Sequence, residues 1–429
     1  MKIAIIGTGY VGLCTGACFA DLGNDVVCMD IAEEKIEKLR KGIIPIYEPQ
    51  LKELVDRNAA IGKLKFTASL KEAVGNSEVI FIAVGTPPRH DGSADLSYVE
   101  NVAYQIAKVM DGYHLIVEKS TVPVQTGKRV ERTIKENARH GIEFDVASNP
   151  EFLREGSAIH DFLHPDRIVI GVSSERAAIL LKKLYEPLNA PIIVTDINSA
   201  EIIKHASNSF LATKISFINA VANICEKTGA NIEEVAHGIG LDKRIGKSFL
   251  NAGIGYGGSC FPKDVSAFVK ISEDLGYDFK LLREVETINK RQKELFLKKI
   301  HDGLWNLSGK TVGVLGLAFK PDTDDMREAP SIDIINYLVK EGARVKAYDP
   351  AAMENAKKIL PIIDYCVDEY EVARNVDALI IVTEWKEFKE IDMNCLKSAM
   401  KKPLIFDGRN MFDKQKMKAL GFQYISVGR

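Results

Sequence analysis

The chain has 429 residues, which at about 150 residues per domain corresponds to roughly three domains. Its 57 Lys and Arg against 59 Asp and Glu give a formal charge of −2, which provides no long-range field to hold nucleic acid or an anionic membrane. Seven cysteines, an odd number without a CxxC pair, argue against a disulfide framework and a zinc site, and they indicate a reducing compartment.

Short apolar runs alternate with amphipathic helical stretches in the first third of the chain. The predicted strands are Lys2–Ile6, Asp25–Met29, Glu78–Val84 and His114–Val117, and the helices between them include Glu33–Lys41 and Leu96–Met110. Continuous apolar runs of this length are typical of strands covered on both faces of a parallel sheet. The glycines in the first run argue against a signal peptide, and no apolar run approaches the ~20 residues of a membrane span. We therefore expect a cytoplasmic protein.

The period changes in the middle of the chain. Apolar residues recur at helical spacing from Ser199 to Gly229, which predicts a helix of ~45 Å. More helical pattern follows at Ile232–Ile239, Val265–Leu275 and Leu281–Leu304. The long helix is either a buried spine or a dimer contact, and the two interpretations are compatible.

After Asn306 the β/α alternation restarts. The predicted strands are Lys310–Gly316, Arg344–Asp349, Ala378–Thr383 and Pro403–Asp407. The first of these strands carries glycines, the second ends in an acid and a later one is rich in Val and Ile. The strands of the first third follow the same order. The sequence thus predicts an α/β fold with two Rossmann-like doubly wound domains joined by a central helical domain with one long helix. The expected boundaries are 1–198, 199–306 and 307–429.

A glycine pattern follows the first predicted strand and opens a helix. Gly7 permits a tight turn, Gly9 lets the backbone approach a pyrophosphate, and Gly12 allows the helix to pack closely on the strand. Asp30 ends the second strand, where a carboxylate binds both ribose hydroxyls and repels a 2′-phosphate, and Lys35 is close enough in sequence to reach the same ribose. These residues predict NAD as cofactor.

The second glycine site lacks the third glycine. It runs from Gly313 through Gly316 to Phe319, and a bulky ring at that place obstructs close pyrophosphate packing. This domain therefore either binds a different nucleotide or is a structural repeat.

The segment Gly255–Asp264 contains three glycines in four positions, which allow a backbone to pass close to a ligand. Cys260 is expected between this loop and a helix that begins near Asp264. The helix N-terminus and Lys263 both favour a thiolate, so Cys260 is the candidate nucleophile rather than a buried structural thiol. The other six cysteines are interpreted as packing residues.

Other polar residues recur at spacings that group them. Lys204 and Asn208 are one turn apart on the long helix, and Glu151 and Glu155 have the same spacing after a strand. For each pair the alternative is a solvated helix surface. Two threonines, Thr86 and Thr121, lie in strand-end loops, and three cations that suit phosphate lie near the third domain: Lys320, Arg327 and Arg409.

The motifs together resemble the UDP-glucose/GDP-mannose dehydrogenase family along nearly the whole chain. They are Gly7-x-Gly9-x-x-Gly12, Val84-Gly-Thr-Pro, Ser120-Thr-Val-Pro, Asn149-Pro-Glu-Phe-Leu-x-Glu155-Gly, Lys204-x-x-x-Asn208, Arg244-Ile-Gly, Gly257-Gly-Ser-Cys-Phe-Pro-Lys-Asp264 and Gly316-x-Ala-Phe-Lys320. In its UDP-glucose branch the resemblance implies a two-step, four-electron oxidation of the sugar C6 hydroxyl to a carboxylate, with two NAD per UDP-glucuronate.

The resemblance also implies roles for single residues. Either Lys204 or Asp264 acting through water would take the hydroxyl proton, and Cys260 would form a thiohemiacetal that is oxidised to a thioester. Lys204 and Asn208 would stabilise the oxyanion. Glu151 would assist thioester hydrolysis, with Thr121 positioning water.

The resemblance further implies the contacts of cofactor and substrate. NAD would contact Val11, Asp30, Lys35, Thr86, Thr121, Glu155, Lys263 and Arg327. The UDP-sugar would contact Glu151, Phe152, Leu153, Arg154, Glu155, Phe249, Leu250, Asn251, Ala252, Gly253, Gly257, Lys320 and Arg409, besides Lys204 and Asn208. Arg244 resembles an arginine that reaches a neighbouring subunit's substrate, which would make the chain a homodimer through the central helix.

Three alternatives remain open at this point. A sister enzyme would act on GDP-mannose or a UDP-N-acetylhexosamine, and Phe261 and Lys263 favour the UDP-glucose branch. A two-electron hydroxyacid dehydrogenase would make Cys260 incidental, and a non-catalytic NAD-binding scaffold would use the fold for partner recognition.

Overall fold

The computed structural model describes all 429 residues, which form two compact units. The first unit comprises Met1–Ser207 and Lys270–Tyr277. The second comprises Asn208–Val269 and Asp278–Arg429.

The first unit is built on an eight-stranded sheet. Its strands are β1 (Lys2–Ile6), β2 (Asp25–Met29), β3 (Leu64–Thr67), β4 (Val79–Ile82), β5 (His114–Glu118), β6 (Phe144–Ser148), β7 (Ile168–Val172) and β8 (Ile192–Thr195). They lie in the order β3-β2-β1-β4-β5-β6-β7-β8. The first six strands are parallel, whereas β7 runs antiparallel to β6 and parallel to β8. The order reverses between β1 and β4, where such sheets bind ligands at the carboxyl ends of the strands.

Eight helices and one 3₁₀ turn connect these strands. The helices are α1 (Tyr10–Asp21), α2 (Glu33–Arg40), α3 (Leu51–Ala60), α4 (Leu70–Gly75), α5 (Ser97–Val109), α6 (Thr126–Asn137), α7 (Ala158–Leu163) and α8 (Glu175–Tyr185), and the 3₁₀ turn is Glu186–Leu188. The core lies on both faces of the sheet. In β1, for example, Ile3 and Ile5 join one apolar cluster and Ala4 and Ile6 join the other. Burial on both faces explains why this strand is apolar at every position after Lys2.

Four helices precede the second sheet. They are α9 (Ile197–Thr228), α10 (Ile232–Gly240), α11 (Phe261–Asp274) and α12 (Lys280–Leu304), of which α9 and α11 contribute residues to both units. The second sheet has six parallel strands in the order β11-β10-β9-β12-β13-β14: β9 (Thr311–Leu315), β10 (Arg344–Tyr348), β11 (Asp364–Tyr365), β12 (Ala378–Ile381), β13 (Leu404–Asp407) and β14 (Gln423–Ile425). Its helices are α13 (Pro330–Lys340), α14 (Met353–Ile359), α15 (Glu369–Ala373), α16 (Lys386–Lys389), α17 (Met393–Ala399) and α18 (Lys414–Ala419).

The predicted fold class is confirmed: two Rossmann-like sheets are present, and the long helix spans Ile197–Thr228 against the predicted 199–229. Two details were wrong. The first sheet is not entirely parallel, and α11 begins at Phe261 rather than near Asp264. No helix combines the length and apolarity that crossing a membrane requires.

None of the seven cysteines forms a disulfide. Cys14, Cys18, Cys28, Cys225 and Cys366 are buried, as a packing role requires. The prediction of a packing role is wrong for Cys395, which is exposed on α17.

Candidate functional site

The glycine turn after β1 leaves space for a ligand. Gly7 has a φ of +102°, and a Cβ there would lie 2.6 Å from the Ala83 carbonyl oxygen. A Cβ on Gly12 would lie 1.9 Å from the Gly7 carbonyl oxygen, so α1 packs directly on the turn. Around Gly9, by contrast, no atom lies within 4 Å of a Cβ, and no side chain caps the first turn of α1, where Val11 is half-buried. The N-terminus of α1 thus has no side-chain cap and has open space at Gly9, which fits a pyrophosphate.

Asp30 follows β2 and is held by four hydrogen bonds. Its Oδ2 accepts from the Thr8 N–H at 3.0 Å, from the Thr8 hydroxyl at 2.7 Å and from Lys35 Nζ at 3.0 Å, and its Oδ1 accepts from the Ala32 N–H at 3.1 Å. Burial alone would raise the pKa of Asp30, but the hydrogen bonds from Thr8, Lys35 and Ala32 together lower it. The group is thus a fixed, half-buried carboxylate, as ribose recognition requires. Lys35, which is predicted to reach the same ribose, lies beside this carboxylate.

The loops after β4 and β5 meet through their threonines. The Thr86 hydroxyl donates to the Thr121 carbonyl oxygen at 3.0 Å, and Thr86 is buried. Ser120 donates through its hydroxyl to the Val84 carbonyl oxygen at 2.8 Å. The two predicted threonines therefore lie together at the carboxyl edge of the sheet.

Glu151 and Lys204 form a buried ion pair. Lys204 Nζ lies 3.0 Å from Glu151 Oε1, and the two side chains are only 4% and 5% exposed. Glu151 Oε2 also accepts from the Leu153 N–H at 2.6 Å. Neither Glu151 nor Lys204 lies on a solvated helix surface, so that alternative interpretation is wrong for both. A cation and a carboxylate excluded from water act on one another more strongly than they would in solvent.

The rest of the segment 151–155 continues along the loop after β6. The Arg167 guanidinium stacks on the Phe152 ring, 3.6 Å from its centroid. Arg154 is exposed and makes a bidentate pair with Asp161, at 2.6 Å and 2.9 Å. The two remaining members are half-buried: Leu153 and Glu155.

Lys119 is a site residue that the sequence reasoning did not single out. Its Nζ donates to Asn149 Oδ1 at 3.0 Å and to the Tyr185 hydroxyl at 3.3 Å, and Lys119 is buried. Burial lowers the pKa of Lys119 to about 7, the Glu151 carboxylate opposes this shift, and the Lys204 ammonium adds to it. This lysine is thus electrostatically linked to the ion pair.

Two buried carboxyls were also not predicted. Burial, with a smaller contribution from the Glu201 carboxylate, raises the pKa of Glu118 to about 8. Burial likewise raises the pKa of Glu201 to about 7, against the lowering effect of hydrogen bonds from the Gly127 and Gln125 N–H groups. The available signal was that Glu118 and Lys119 interrupt an apolar strand end, where an ionisable residue is rarely buried without a function.

In the second unit, Cys260 directly precedes α11. The Cys260 carbonyl oxygen accepts from the Asp264 N–H at 2.8 Å, and Asp264 is buried. The Asp264 carboxylate accepts from Asn208 Nδ2 at 2.6 Å and pairs with Lys263 Nζ at 2.8 Å. The Cys260 side chain is half-buried, with its sulfur 3.6 Å from the Ser259 hydroxyl. The thiol thus lies directly before the first turn of α11, which carries the paired Lys263 and Asp264.

The glycines before Cys260 allow the loop to pack against other parts of the second unit. A Cβ on Gly257 would lie 2.1 Å from the Glu328 carbonyl oxygen, and one on Gly258 would lie 2.6 Å from the Phe319 ring. One on Gly255 would lie 2.6 Å from Asn289 Oδ1. At each of these three positions a side chain would therefore meet protein atoms.

Two of the predicted sugar-nucleotide residues of this unit are held in place by hydrogen bonds. Arg409 donates from Nε to the Val382 carbonyl oxygen at 2.7 Å and from Nη1 to the Gly255 carbonyl oxygen at 3.0 Å. Gly253 is held through its N–H by Asn219 Oδ1 at 2.9 Å. In the segment before Gly253, Phe249 is half-buried and Asn251 is exposed. Leu250 and Ala252 are buried.

The other predicted cations have separate surroundings. Arg327 pairs with Asp325 at 2.7 Å, and Lys320 Nζ lies 5.5 Å from the centroid of the neighbouring Phe319 ring. The Arg244 side chain is 89% exposed and pairs only locally, with Asp242 at 2.6 Å. Arg244 is thus accessible for contacts outside the chain.

The chain matches three family models in order. They are those of the UDP-glucose/GDP-mannose dehydrogenase family: the NAD binding domain at residues 1–189, the central domain at 198–291 and the UDP binding domain at 313–414. The chain belongs to this family. It is therefore an NAD-dependent oxidoreductase with a UDP binding domain, which confirms the predictions of enzyme class and cofactor and excludes a purely structural second Rossmann-like domain.

Relatives and solved structures agree with this assignment. UDP-glucose 6-dehydrogenase TuaD of Bacillus subtilis strain 168 is 51% identical over 429 residues, covering 100% of this chain and 93% of the relative. UDP-glucose 6-dehydrogenase of Rhizobium meliloti strain 1021 is 51% identical over 436 residues, covering 100% of both. A UDP-glucose dehydrogenase from Pyrobaculum islandicum superposes with a TM-score of 0.92 at 42% identity, covering 99% of this chain and 96% of that one.

Proposed function

We propose that this chain oxidises UDP-glucose to UDP-glucuronate, with two NAD consumed per sugar and a covalent intermediate on Cys260. The observation that carries the proposal is a cysteine at the N-terminus of α11, beside Lys263 and one turn from Asp264, in a chain with NAD and UDP binding domains. The choice of UDP-glucose rests on the relatives of that name at 51% identity. A solved UDP-D-ManNAc dehydrogenase from Pyrococcus horikoshii is only 31% identical.

The first unit would hold NAD by its open glycine turn and its ribose carboxylate. Gly9 and the N–H groups of α1 would receive the pyrophosphate, and Asp30 with Lys35 would receive a ribose. The remaining cofactor contacts that we propose are Val11, Thr86, Thr121, Glu155, Lys263 and Arg327. When bound, NAD supplies hydride acceptance in both oxidations.

The Cys260 thiol would convert the aldehyde into a thiohemiacetal, which is the species oxidised in the second step. Loss of a proton and a hydride from the C6 alcohol yields an aldehyde, and addition of the thiol to that carbonyl yields a thiohemiacetal. Loss of a second proton and hydride leaves a thioester. Water then displaces the thiol and produces the carboxylate, so the cysteine is regenerated and the aldehyde stays attached.

Further polar side chains would transfer protons and stabilise charge. Lys204, or Asp264 through a water molecule, takes the hydroxyl proton, and Lys204 with Asn208 stabilises the developing oxyanion. Glu151 assists attack of water on the thioester, and Thr121 positions that water. The ion pair between Glu151 and Lys204 supports these roles, because it holds a carboxylate and an ammonium group together out of solvent.

The UDP-sugar contacts that we propose are the segments Glu151–Glu155 and Phe249–Gly253 with Gly257, Lys320 and Arg409. Arg409 supports this because it fixes the Gly255 carbonyl and thereby the loop that precedes Cys260.

We further infer a homodimer through α9 and a cytoplasmic location. Phe210, Phe217 and Ile224 recur every seven residues along α9 and are 66%, 56% and 60% exposed, which is an apolar stripe that a second copy would cover. Arg244 would reach from one copy towards the substrate of the other. The cytoplasm would keep the Cys260 thiol reduced.

The test is the yield of NADH per UDP-glucose consumed, followed by absorbance, with GDP-mannose and UDP-N-acetylmannosamine in parallel. We expect two NADH per UDP-glucose and UDP-glucuronate as the product. A yield of one would leave an ordinary two-electron dehydrogenase. Turnover of another nucleotide sugar but not of UDP-glucose would overturn the substrate assignment.

A further inference from the structure

One face of the first turns of α9 holds two loops of the first unit. Glu201, Lys204 and His205 share this face because their spacing is i, i+3 and i+4, and all three are buried. Lys204 binds Glu151 in the loop after β6. The other two bind the loop after β5, which carries Thr121.

Glu201 caps the N-terminus of α6 from outside that helix. Its Oε2 accepts from the Gln125 N–H at 2.6 Å, and its Oε1 accepts from the Gly127 N–H at 2.8 Å. Gln125, the residue before α6, has a φ of +74° and provides no side-chain cap. A Cβ on Gly127 would lie 2.5 Å from Ile197 Cγ2, so α6 begins in direct contact with α9. The end of the loop is thus fixed to α9 by charge-assisted hydrogen bonds.

His205 holds the same loop nearer its start. Its Nε2 lies 2.8 Å from the Val122 carbonyl oxygen, and the residue is 1% exposed. A carbonyl oxygen can only accept, so Nε2 carries the proton in this contact. The adjacent Thr121 carbonyl accepts from Thr86. Two neighbouring carbonyls of this loop are therefore held from different sides: that of Val122 by α9, and that of Thr121 by the loop after β4.

We propose that Glu201 and His205 are positioning residues, which keep the loop Ser120–Gln125 in the conformation that receives the cofactor and tie it to the helix that carries Lys204. The inference rests on the proposed function in assigning Thr86 and Thr121 to NAD. If the loop adopts its binding conformation only part of the time, the apparent Kd for NAD rises in inverse proportion to that fraction.

The experiment measures the Kd of NAD by calorimetry without sugar, together with KM and kcat for both substrates. His205→Leu removes the hydrogen bond and keeps an apolar side chain. His205→Gln keeps a donor near the position of Nε2. The matched control is His114→Leu, because His114 is also buried and bound to a backbone carbonyl, that of Ser77, at 2.8 Å, but lies at the amino end of β5.

We expect His205→Leu to raise the Kd of NAD about fivefold, the factor that one net hydrogen bond is worth. His205→Gln should restore most of it, and His114→Leu should leave it unchanged while lowering stability similarly. Glu201→Gln, which replaces one acceptor by an NH₂ facing an N–H, should raise the Kd further. Equal Kd values in His205→Leu and the wild type, or equal increases in His205→Leu and His114→Leu, would overturn the inference.

Binding of NAD without sugar is independent of which nucleotide sugar is oxidised. Failure of the substrate assignment would therefore appear only in the turnover measurements. Failure of the positioning inference would appear in the Kd series with wild-type turnover of UDP-glucose intact.

Discussion

Replacing Lys204 by Met tests the buried ion pair most directly. Both side chains of the pair are excluded from water at an N–O distance of 3.0 Å, so the substitution leaves the Glu151 carboxylate buried without its partner. Loss of one member of such a pair costs about 3–5 kcal/mol, whereas loss of one member of an exposed pair costs under about 1 kcal/mol. Lys52→Met is the matched control, since Lys52 pairs with Asp56 at 2.6 Å on the exposed surface of α3.

The cost should depend on pH because of Lys119. Burial, with a smaller contribution from the Lys204 ammonium and against the effect of Glu151, lowers the pKa of Lys119 to about 7, so Lys204→Met raises the pKa of Lys119 in the folded state. At about pH 6 the protonated Lys119 then partly compensates Glu151, whereas at about pH 9 more of it is neutral. We expect a loss near 2 kcal/mol at the lower pH and about 4 kcal/mol at the higher one.

Unfolding of the first unit in urea should be monitored through hydrogen exchange in peptides from β5 and β6. Both tryptophans, Trp305 and Trp385, lie in the second unit, so their fluorescence does not report on this pair. A loss below about 1 kcal/mol at both pH values, equal to that of Lys52→Met, would refute the reasoning.

Three further changes test other parts of the molecule. Cys260→Ser should stop the reaction at the aldehyde or a covalent stage, so NADH falls below two per sugar; retention of two NADH would remove the covalent mechanism. Gly257→Ala should destabilise the second unit by about 1–3 kcal/mol, because its Cβ would meet the Glu328 carbonyl at 2.1 Å, whereas Gly238→Ala, with no atom within 4 Å, should stabilise it by up to about 1 kcal/mol; tryptophan fluorescence in urea compares them, and equal effects would contradict the packing argument. Glu118→Gln removes a carboxyl whose pKa burial and Glu201 raise to about 8. The folded protein therefore loses stability as pH rises from about 4.5 to about 8, and the variant should flatten that slope by up to about 1.4 kcal/mol per pH unit; an unchanged slope in urea titrations would contradict the shift.

Much of the fold followed from local patterns in the sequence. The strand Asp25–Met29 and the helix Ile197–Thr228 were predicted to within two residues. The strand is marked by its apolar residues, and the helix by apolar residues that recur at helical spacing along its length. Strands with weak patterns were missed. β8, for example, lies at the sheet edge with its two central residues exposed, so it lacks the continuous apolar run that identified the others.

The site residues that lie close together in the sequence could be predicted from motifs. The turn from Gly7 to Gly12 and Asp30 belong to one strand-turn-helix unit and its next strand, so spacing in sequence sufficed. The partner of Lys204 was not predictable from spacing, since Glu151 precedes it by 53 residues. The roles of Glu201 and His205 depend likewise on contacts across the fold, which only the structure provides.

The two Rossmann-like domains show how one architecture serves two nucleotides. In both, the acid after the second strand accepts from the backbone that follows the glycine turn. Asp30 remains half-buried beside Lys35, with capacity for a ribose, whereas Asp349 is buried and accepts from the Leu317 and Ala318 N–H groups and from Trp385.

The glycine turns also differ. Gly316 takes the place of Gly7, because its φ is +91° and its N–H binds the carbonyl oxygen of the last residue of the second strand, Tyr348. The position of Gly12 therefore falls at Pro321, and its prediction at Phe319 was wrong. The Phe319 ring instead lies against Gly258, two residues before Cys260. Phe319 thus supplies a contact for the loop that precedes the thiol. Gly258→Ala would place a Cβ within 2.6 Å of that ring, so the packing of the cysteine loop requires that position 258 has no side chain.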